Sequence, residues 1–382
     1  MLYLVFPLGN NFGWGVCGKY LAKELAKITA TKLLANPDEM NKINDELDHL
    51  FLKSVFADRE AFATGLKGAL PEPVIQAIMG HNLLPIENKI KGKPNIGYTF
   101  FEHSFLPSQS IEDARQIFDI VVAGSSWCEN VLKQHGLQNT GCILQGVDRT
   151  IFNACENQKT LFDDKFVIFS GGKLEFRKGQ DLVIRAFKVL QDKYDDVLLV
   201  NSWFNPWSSS MQTMSASPYI HFKFESDNYF QTIENLLLMN GIDPKNVVTL
   251  PPKPNVAMAS IYKNTDCGLF PNRCEGGTNL VLMEYLACGK PAIVSNSSGH
   301  RDVANEHNAL MLKRMKSFII SNNGTRVAEW DDPNIDEIID RLDWAYNNRT
   351  SLATIGDAAG KSMEKFSWKS AAEQFNGLTY AV

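Results

Sequence analysis

No stretch of this chain is apolar for long enough to cross a bilayer, and its first residues carry no basic-then-apolar leader pattern. Cysteines are few, odd in number and scattered (17, 128, 142, 155, 267, 274 and 288), with no C-x-x-C pair and no metal-ligand spacing. That pattern excludes a disulfide framework and reads as reduced thiols in a cytosolic protein. Excess positive charge is also missing. The 38 Lys and Arg face 43 Asp and Glu, a formal charge of -5, so no nucleic-acid partner is expected. Internal repeats and low-complexity tracts are absent. What remains is a cytoplasmic globular protein of 382 residues, too long for one hydrophobic core.

Apolar runs alternate with amphipathic stretches along the whole chain. Strand candidates are Leu2–Phe6, Lys32–Ala35, Asn95–Phe100, Ile120–Ala123, Phe166–Phe169, Val197–Asn201, Val247–Leu250, Cys267–Phe270, Pro291–Ser295 and Ala309–Leu312. Helix candidates between them include Val16–Lys27, Ile111–Gln116, Cys128–His135, Gln180–Lys193, Thr232–Asn240, Val256–Lys263 and Thr278–Ala287. In Gln180–Lys193, Val183, Ala186, Phe187 and Leu190 share one face at helical spacing. Strand–helix alternation with short linkers predicts parallel sheets covered on both faces. The alternation restarts after the polar segment Cys155–Lys165, which predicts two α/β domains, 1–157 and 158–365. A last amphipathic stretch within 366–382 is free to pack back onto the first domain. Residues 40–94 are harder to read. There "NKINDELDHLFLKSVF" fits a helix burying Ile43, Leu47, Leu50, Phe51 and Val55.

Two loops have the chemistry of phosphate sites. In "FSGGKLEFRKGQDLVIRAF" a strand gives way to Gly171 and Gly172, followed by Lys173, Arg177 and Lys178. Glycines there let backbone approach a ligand closely, and the cations suit a pyrophosphate. In "LFPNRCEGGTNLVLMEYLACGKPAIVSNSSG" a strand leads through Glu275, Gly276 and Gly277 into a helix opening at Thr278 with no acid in its first turn. The N–H groups at Thr278, Asn279 and Leu280 then face an anion with the positive end of the helix dipole. Glu284 falls on an apolar face of that helix, where a carboxylate is costly unless hydroxyls or cations satisfy it.

"GGKLEFRKG", "EGGTNLVLMEYLACGKPAIVS" and "QGVDRTIF" together resemble the retaining nucleotide-sugar glycosyltransferases of GT-B fold, in particular glycosyltransferase family 4. The resemblance is strong over about 140–300 and weak over 30–95. It implies two Rossmann-like domains facing a central cleft, and no cofactor beyond a nucleoside-diphosphate sugar donor, UDP-linked. It also implies transfer with retention to a hydroxyl acceptor that is a glycan, a lipid-linked sugar or a small molecule. By the same resemblance Glu275 contacts the transferred sugar, Glu284 the ribose, Lys173 and Lys178 the diphosphate, and His103 the donor sugar. Two departures stand out. Eight residues rather than seven separate Glu275 from Glu284, and Lys173 replaces the usual arginine, supplying charge without a bidentate fork. No Asp-x-Asp triple offers a metal–diphosphate clamp, so no metal is expected.

The opening "FPLGNNFGWGVCGKYLAKELAK" also contains a G-x-G-x-x-G spacing at Gly13, Gly15 and Gly18, and Asp38 lies twenty residues beyond. That is the pattern of a dinucleotide-binding loop, and NAD-dependent oxidoreduction is one alternative; a non-catalytic sugar-nucleotide-binding module is another. Pro7 to Phe12 intervene before the first glycine, which favours instead a cleft loop with Gly15 near the donor. Ser125 and Ser126 are expected as helix caps first and ligand contacts second. Lys19, Lys23 and Lys27 form a stripe at i, i+4, i+8, read as a solvated face or as a peripheral contact with anionic lipid.

Overall fold

The computed structural model describes residues 1–155, 158–224 and 228–381. Glu156 and Asn157, at the expected domain boundary, lie outside the described residues, as does Val382. The first sheet contains β1 (Leu2–Val5), β2 (Thr31–Ala35), β3 (Phe56–Asp58), β4 (Val74–Met79), β5 (Asn95–Phe100), β6 (Ile120–Ala123) and β7 (Thr140–Cys142). Its order is β3-β2-β1-β4-β5-β6-β7, parallel throughout. The second sheet contains β8 (Phe166–Gly171), β9 (Val197–Ser202), β10 (Val247–Thr249), β11 (Cys267–Phe270), β12 (Ala292–Ser295) and β13 (Leu310–Leu312). Its order, β10-β9-β8-β11-β12-β13, is again all parallel. This is the expected GT-B architecture of two parallel-sheet α/β halves. A third pair, β14 (Met315–Asn322) and β15 (Thr325–Pro333), forms an antiparallel hairpin outside both sheets.

Both sheets reverse direction of winding at one place, between β1 and β4 in the first and between β8 and β11 in the second. Crevices that bind ligands open at such switch points, beyond the carboxyl ends of the strands. The Gly171–Lys178 loop follows β8 and the Glu275–Asn279 loop follows β11, so the topology sets them side by side. The carboxy-terminal helix Trp368–Ala381 leaves the second half and packs on the first. Trp368, Ala371, Ala372 and Phe375 are buried there, with the Trp368 ring stacked 5.4 Å from that of Tyr20.

Apart from β3, β4, β7 and the hairpin pair, the ten other strands follow the predicted runs closely, and β4 is hidden by a polar residue in its middle. Gln76 is fully buried and donates to Ile90 O and Asn95 Oδ1, both at 3.1 Å, so it breaks the apolar pattern without breaking the strand. The helix Glu46–Val55 exists, but it turns its expected core face outward. Leu47 and Leu50 are 78% and 64% exposed, while Leu52 is buried. Asp48 explains the rotation. Its carboxylate points inward to the Lys19 ammonium at 3.5 Å and bonds that of Lys23. Lys27 pairs with Glu24. Lys19 is therefore wholly buried and Lys23 largely covered, while Lys27 stays mostly exposed, so the stripe is solvated only at its far end.

Candidate active site

The opening glycines do not form a loop. The helix begins at Gly13 and runs to Ile28, so Gly13, Gly15 and Gly18 all lie within it. A Cβ on Gly15 would fall 2.7 Å from Gly9 N, and one on Gly18 would collide with Pro7 O. Those positions are glycine because the helix packs its first turns directly on the loop between Pro7 and Phe12. Gly15 and Gly18 thus face protein backbone rather than open space, and NAD binding at this spacing is not favoured. The loop itself, through Asn10, meets the second half: Asn255 N donates to Asn10 O at 2.7 Å.

At the other switch point, Lys178 lies over Gly172 and its ammonium is 2.5 Å from Glu275 Oε1. Arg177 Nη1 is 3.3 Å from the second oxygen of Glu275 and 3.4 Å from Glu102 Oε1 of the first half. Asn272 donates to Glu275 as well, and the Glu275 amide donates to Ser298 Oγ at 2.7 Å. Burial alone would push the Glu275 carboxyl up, but Lys178 and Arg177 pull it down to about 2. Lys173 is set apart from this cluster. Its ammonium is 2.8 Å from Glu175 and 4.7 Å from the centre of the Trp207 ring. Gln180 fixes the glycine loop by donating to Gly172 O at 3.2 Å and Lys173 O at 2.8 Å.

The helix after Glu275 starts later than expected, at Leu280, and ends at Ala287. Asn279 is its cap, at φ 64°, with its side chain accepting from Leu282 N. Thr278 is fully buried and its hydroxyl donates to Met283 Sδ at 2.9 Å, so that side chain faces the core. The left-handed turn at Asn279 lies between the two glutamates. His300 supports it: its Nε2 is 3.1 Å from Asn279 Nδ2 and its Nδ1 is 3.1 Å from Ser295 Oγ. Burial lowers the His300 pKa to about 4 against the pull of Glu275, so the ring is neutral. Gly276 lies against the first half, where a Cβ would come 2.7 Å from Phe101 N. Ser125 both caps the helix Ser126–Gln134 and donates to Gly276 O at 2.6 Å.

Glu284 is buried one turn further along, where Asn255 Nδ2 donates to its Oε1 at 3.0 Å. Burial raises its carboxyl to about 8, with Asn255 and the more distant Lys19 opposing. The buried acceptors Asn10 Oδ1 and Asn255 Oδ1 have no partner among the described residues. His103 stands at the end of β5, its ring stacked on His81 at 3.8 Å. Burial and His81 lower it to about 4, so it too is neutral near pH 7. The structure thus joins Gly172, Lys178, Glu275 and Asn279 in one cluster, and places Glu284 with Asn255. Gly15 and the hydroxyl of Thr278 serve packing. Sequence reasoning counted Arg177 only among the cations suited to a pyrophosphate, and it assigned no role to Asn255 or His300.

The glycosyl transferases group 1 family matches residues 153–362, more than half of the chain. The chain belongs to that family. No curated protein matches this transferase. Among solved structures it is similar to a sucrose-phosphate synthase from Thermosynechococcus elongatus, at 13% identity and TM-score 0.69, covering 100% of this chain and 98% of that one. It is also similar to HepE from Anabaena, solved with UDP-glucose, at 13% identity and TM-score 0.64, with all of both chains covered. A third is the Escherichia coli trehalose-6-phosphate protein bound with UDP-2-fluoro glucose, at 11% identity and TM-score 0.66, covering 100% of this chain and 99% of that one. At these identities the likeness is one of fold.

The two glutamates give the ligand-free transferase opposite pH dependences. Glu284 has a folded pKa of about 8, above the unfolded carboxyl value, so the stability it allows is present at low pH and lost as pH rises through about 8. Glu275, held at about 2, contributes stability above the unfolded value that disappears only in strong acid. Melting temperatures should therefore fall from pH 5 to pH 9, and Glu284→Gln should flatten that slope. A slope unchanged in Glu284→Gln would remove Glu284 as its source.

Proposed function

We propose that this glycosyltransferase moves a hexosyl group from a UDP-linked donor to a hydroxyl acceptor with retention of configuration and without a metal. The observation that carries the reading is the cluster of Lys178 and Arg177 around Glu275, set where β8 and β11 diverge and beside the acid-free amino end of Leu280–Ala287. Donor diphosphate entering there meets Lys178 and the helix amides. Lys178 exchanges its bond to Glu275 for one to phosphate, freeing the carboxylate to accept from a sugar hydroxyl. Charge grows on the diphosphate as the glycosidic bond breaks, and fixed cations and amides stabilise it without reorganising. The leaving phosphate oxygen then takes the acceptor's proton on the same face. Ribose hydroxyls satisfy Glu284 and the unpartnered Asn255 Oδ1. Neutral His103 donates one hydrogen bond to the donor sugar.

The choice of UDP draws on the similar structures that hold UDP-glucose and its 2-fluoro analogue. No helix among the described residues is long and apolar enough to cross a membrane. Seven free cysteines, five of them buried, suit a reducing cytoplasm. The acceptor in this reading is a hydroxyl of a glycan, a lipid-linked sugar or a small molecule.

Protein cations do the work of a metal in this scheme. UDP-glucose hydrolysis should therefore persist in EDTA, and binding should weaken with salt as charge-assisted contacts in an open cleft do. Activity lost to EDTA and restored by Mn²⁺ would overturn the metal-free reading.

A further inference from the structure

The β14–β15 hairpin has no sheet of its own to join, and isolated two-stranded hairpins are marginal in water. Most of β14 is exposed. Two sets of contacts hold the hairpin in place. At its base, Asp332 accepts from Arg273 Nε at 2.6 Å and Asp331 accepts from Ser297 Oγ at 3.1 Å. Arg273 is fully buried and also pairs with Asp181 at 2.8 Å, so this end is anchored in the second half, next to Cys274 and Glu275. Along its other side the hairpin grips the segment that follows β5 in the first half. Trp330 Nε1 donates to Glu102 O at 2.8 Å, the Glu329 amide donates to Ser104 Oγ at 2.6 Å, and Phe105 N donates to Val327 O at 3.2 Å. The Arg326 guanidinium lies 4.7 Å from the centre of the Phe105 ring.

Those partners, Glu102, Ser104 and Phe105, bracket His103. Glu102 is held a second time through its carboxylate, 3.4 Å from Arg177. The backbone around His103 is thus bonded on both sides to the opposite half of the molecule. We propose that the hairpin is a strap that makes His103 travel with the donor-side half, and that Trp330 is a positioning residue for the transfer reaction. If the two halves separate to admit donor, a group fixed only to the first sheet moves away from the donor loops. A group strapped to the second half keeps its place over them. A misplacement of about 1 Å at such a group can cost about a hundredfold in rate. The role in catalysis rests on the reading of His103 given above; the strap itself does not.

Trp330→Phe keeps an aromatic ring to face Phe318 but removes the N–H together with part of the indole, and Ser104→Ala, a smaller change, removes the other side-chain partner. Hydrogen exchange and steady-state hydrolysis of UDP-glucose test the two claims separately. Either variant should speed exchange of the Phe105 amide by about tenfold, as a local opening would, and leave the amides of Gln180–Lys193 unchanged. Both should lower kcat about tenfold, with UDP affinity and the KM for UDP-glucose each within about threefold of wild type. Unchanged exchange at Phe105 in both variants overturns the strap. Faster exchange with unaltered kcat, or an equal loss of UDP affinity, overturns the positioning role. Should the wild-type protein bind no UDP and hydrolyse no UDP-glucose, the functional reading and the positioning role fall together, and the exchange result alone decides the strap.

Discussion

Lys178→Ala should lower turnover by about 2–4 kcal/mol of transition-state stabilisation, roughly thirtyfold to a thousandfold, while affinity for the donor falls much less. The asymmetry follows from when the charge appears. Donor diphosphate is already anionic in the ground state, but the leaving oxygen gains its charge only as the glycosidic bond lengthens, and Lys178 is the cation seated over Gly172 where that oxygen would lie. The structure adds a complication. Lys178 also neutralises a buried carboxylate, and breaking a buried pair from one side commonly costs about 3–5 kcal/mol of stability. Arg177 remains on Glu275 and should absorb part of that cost. Combining Lys178→Met with Glu275→Gln separates the two effects, because the pair is then replaced by uncharged groups. The double variant should recover most of the melting temperature lost in Lys178→Ala and none of the turnover. Kinetics of UDP-glucose hydrolysis beside thermal melts would show it. Near-wild-type turnover in folded Lys178→Ala would remove the loop after β8 from the catalytic centre.

The parts of the fold that were legible in the sequence are those where one physical cause sets the pattern. Buried parallel strands such as β6 and β11 are continuous apolar runs, and their boundaries follow directly. The helix Gln180–Lys193 shows its buried face at helical spacing. Where two causes compete, the pattern misleads. Leu47, Leu50 and Phe51 look like a core face, but an ion pair buried at Asp48 turns the helix the other way. The hairpin strands are hard to see because their apolar residues on the core side, Phe318, Ala328 and Trp330, are few and lie among polar ones. Tertiary bonds to Glu102, Ser104 and Arg273 complete the docking. The G-x-G-x-x-G spacing is real, yet its cause is close helix–loop contact rather than a bound pyrophosphate. Site residues were readable where the chemistry is local, as at Lys178 and Glu275. Asn255 and His300 reach Glu284 and Asn279 across 29 and 21 residues of chain, and nothing near them in the sequence announces it.

Glu284→Ala and Glu275→Ala should separate when each is titrated with UDP and with UDP-glucose. Glu284 sits in the second turn of its helix, with Asn255 from the loop after β10, on the side where Asn10 approaches. A carboxyl there can reach ribose but belongs to every ligand that carries the nucleoside. Its loss should weaken UDP and UDP-glucose alike, by about 1–3 kcal/mol for hydrogen bonds to a charged group. Burial holds the empty-site carboxyl near 8, so hydroxyl donors that favour the anion should drive a proton off at neutral pH. Wild-type UDP titrations at pH 7 should then show heats that change with the ionisation enthalpy of the buffer, and those of Glu284→Ala should not. Glu275 behaves differently because it is already ionised, at about 2, and is occupied by Lys178 and Arg177. Removing it deprives UDP of nothing and releases Lys178 toward the diphosphate, so free UDP should bind as well as before or better. The intact donor loses the acceptor for its sugar hydroxyls, and its binding or turnover should fall by a similar 1–3 kcal/mol, about five- to a hundredfold. Equal losses of UDP affinity in the two variants would mean that the left-handed turn at Asn279 has carried Glu275 off the sugar, and its assignment would have to be withdrawn.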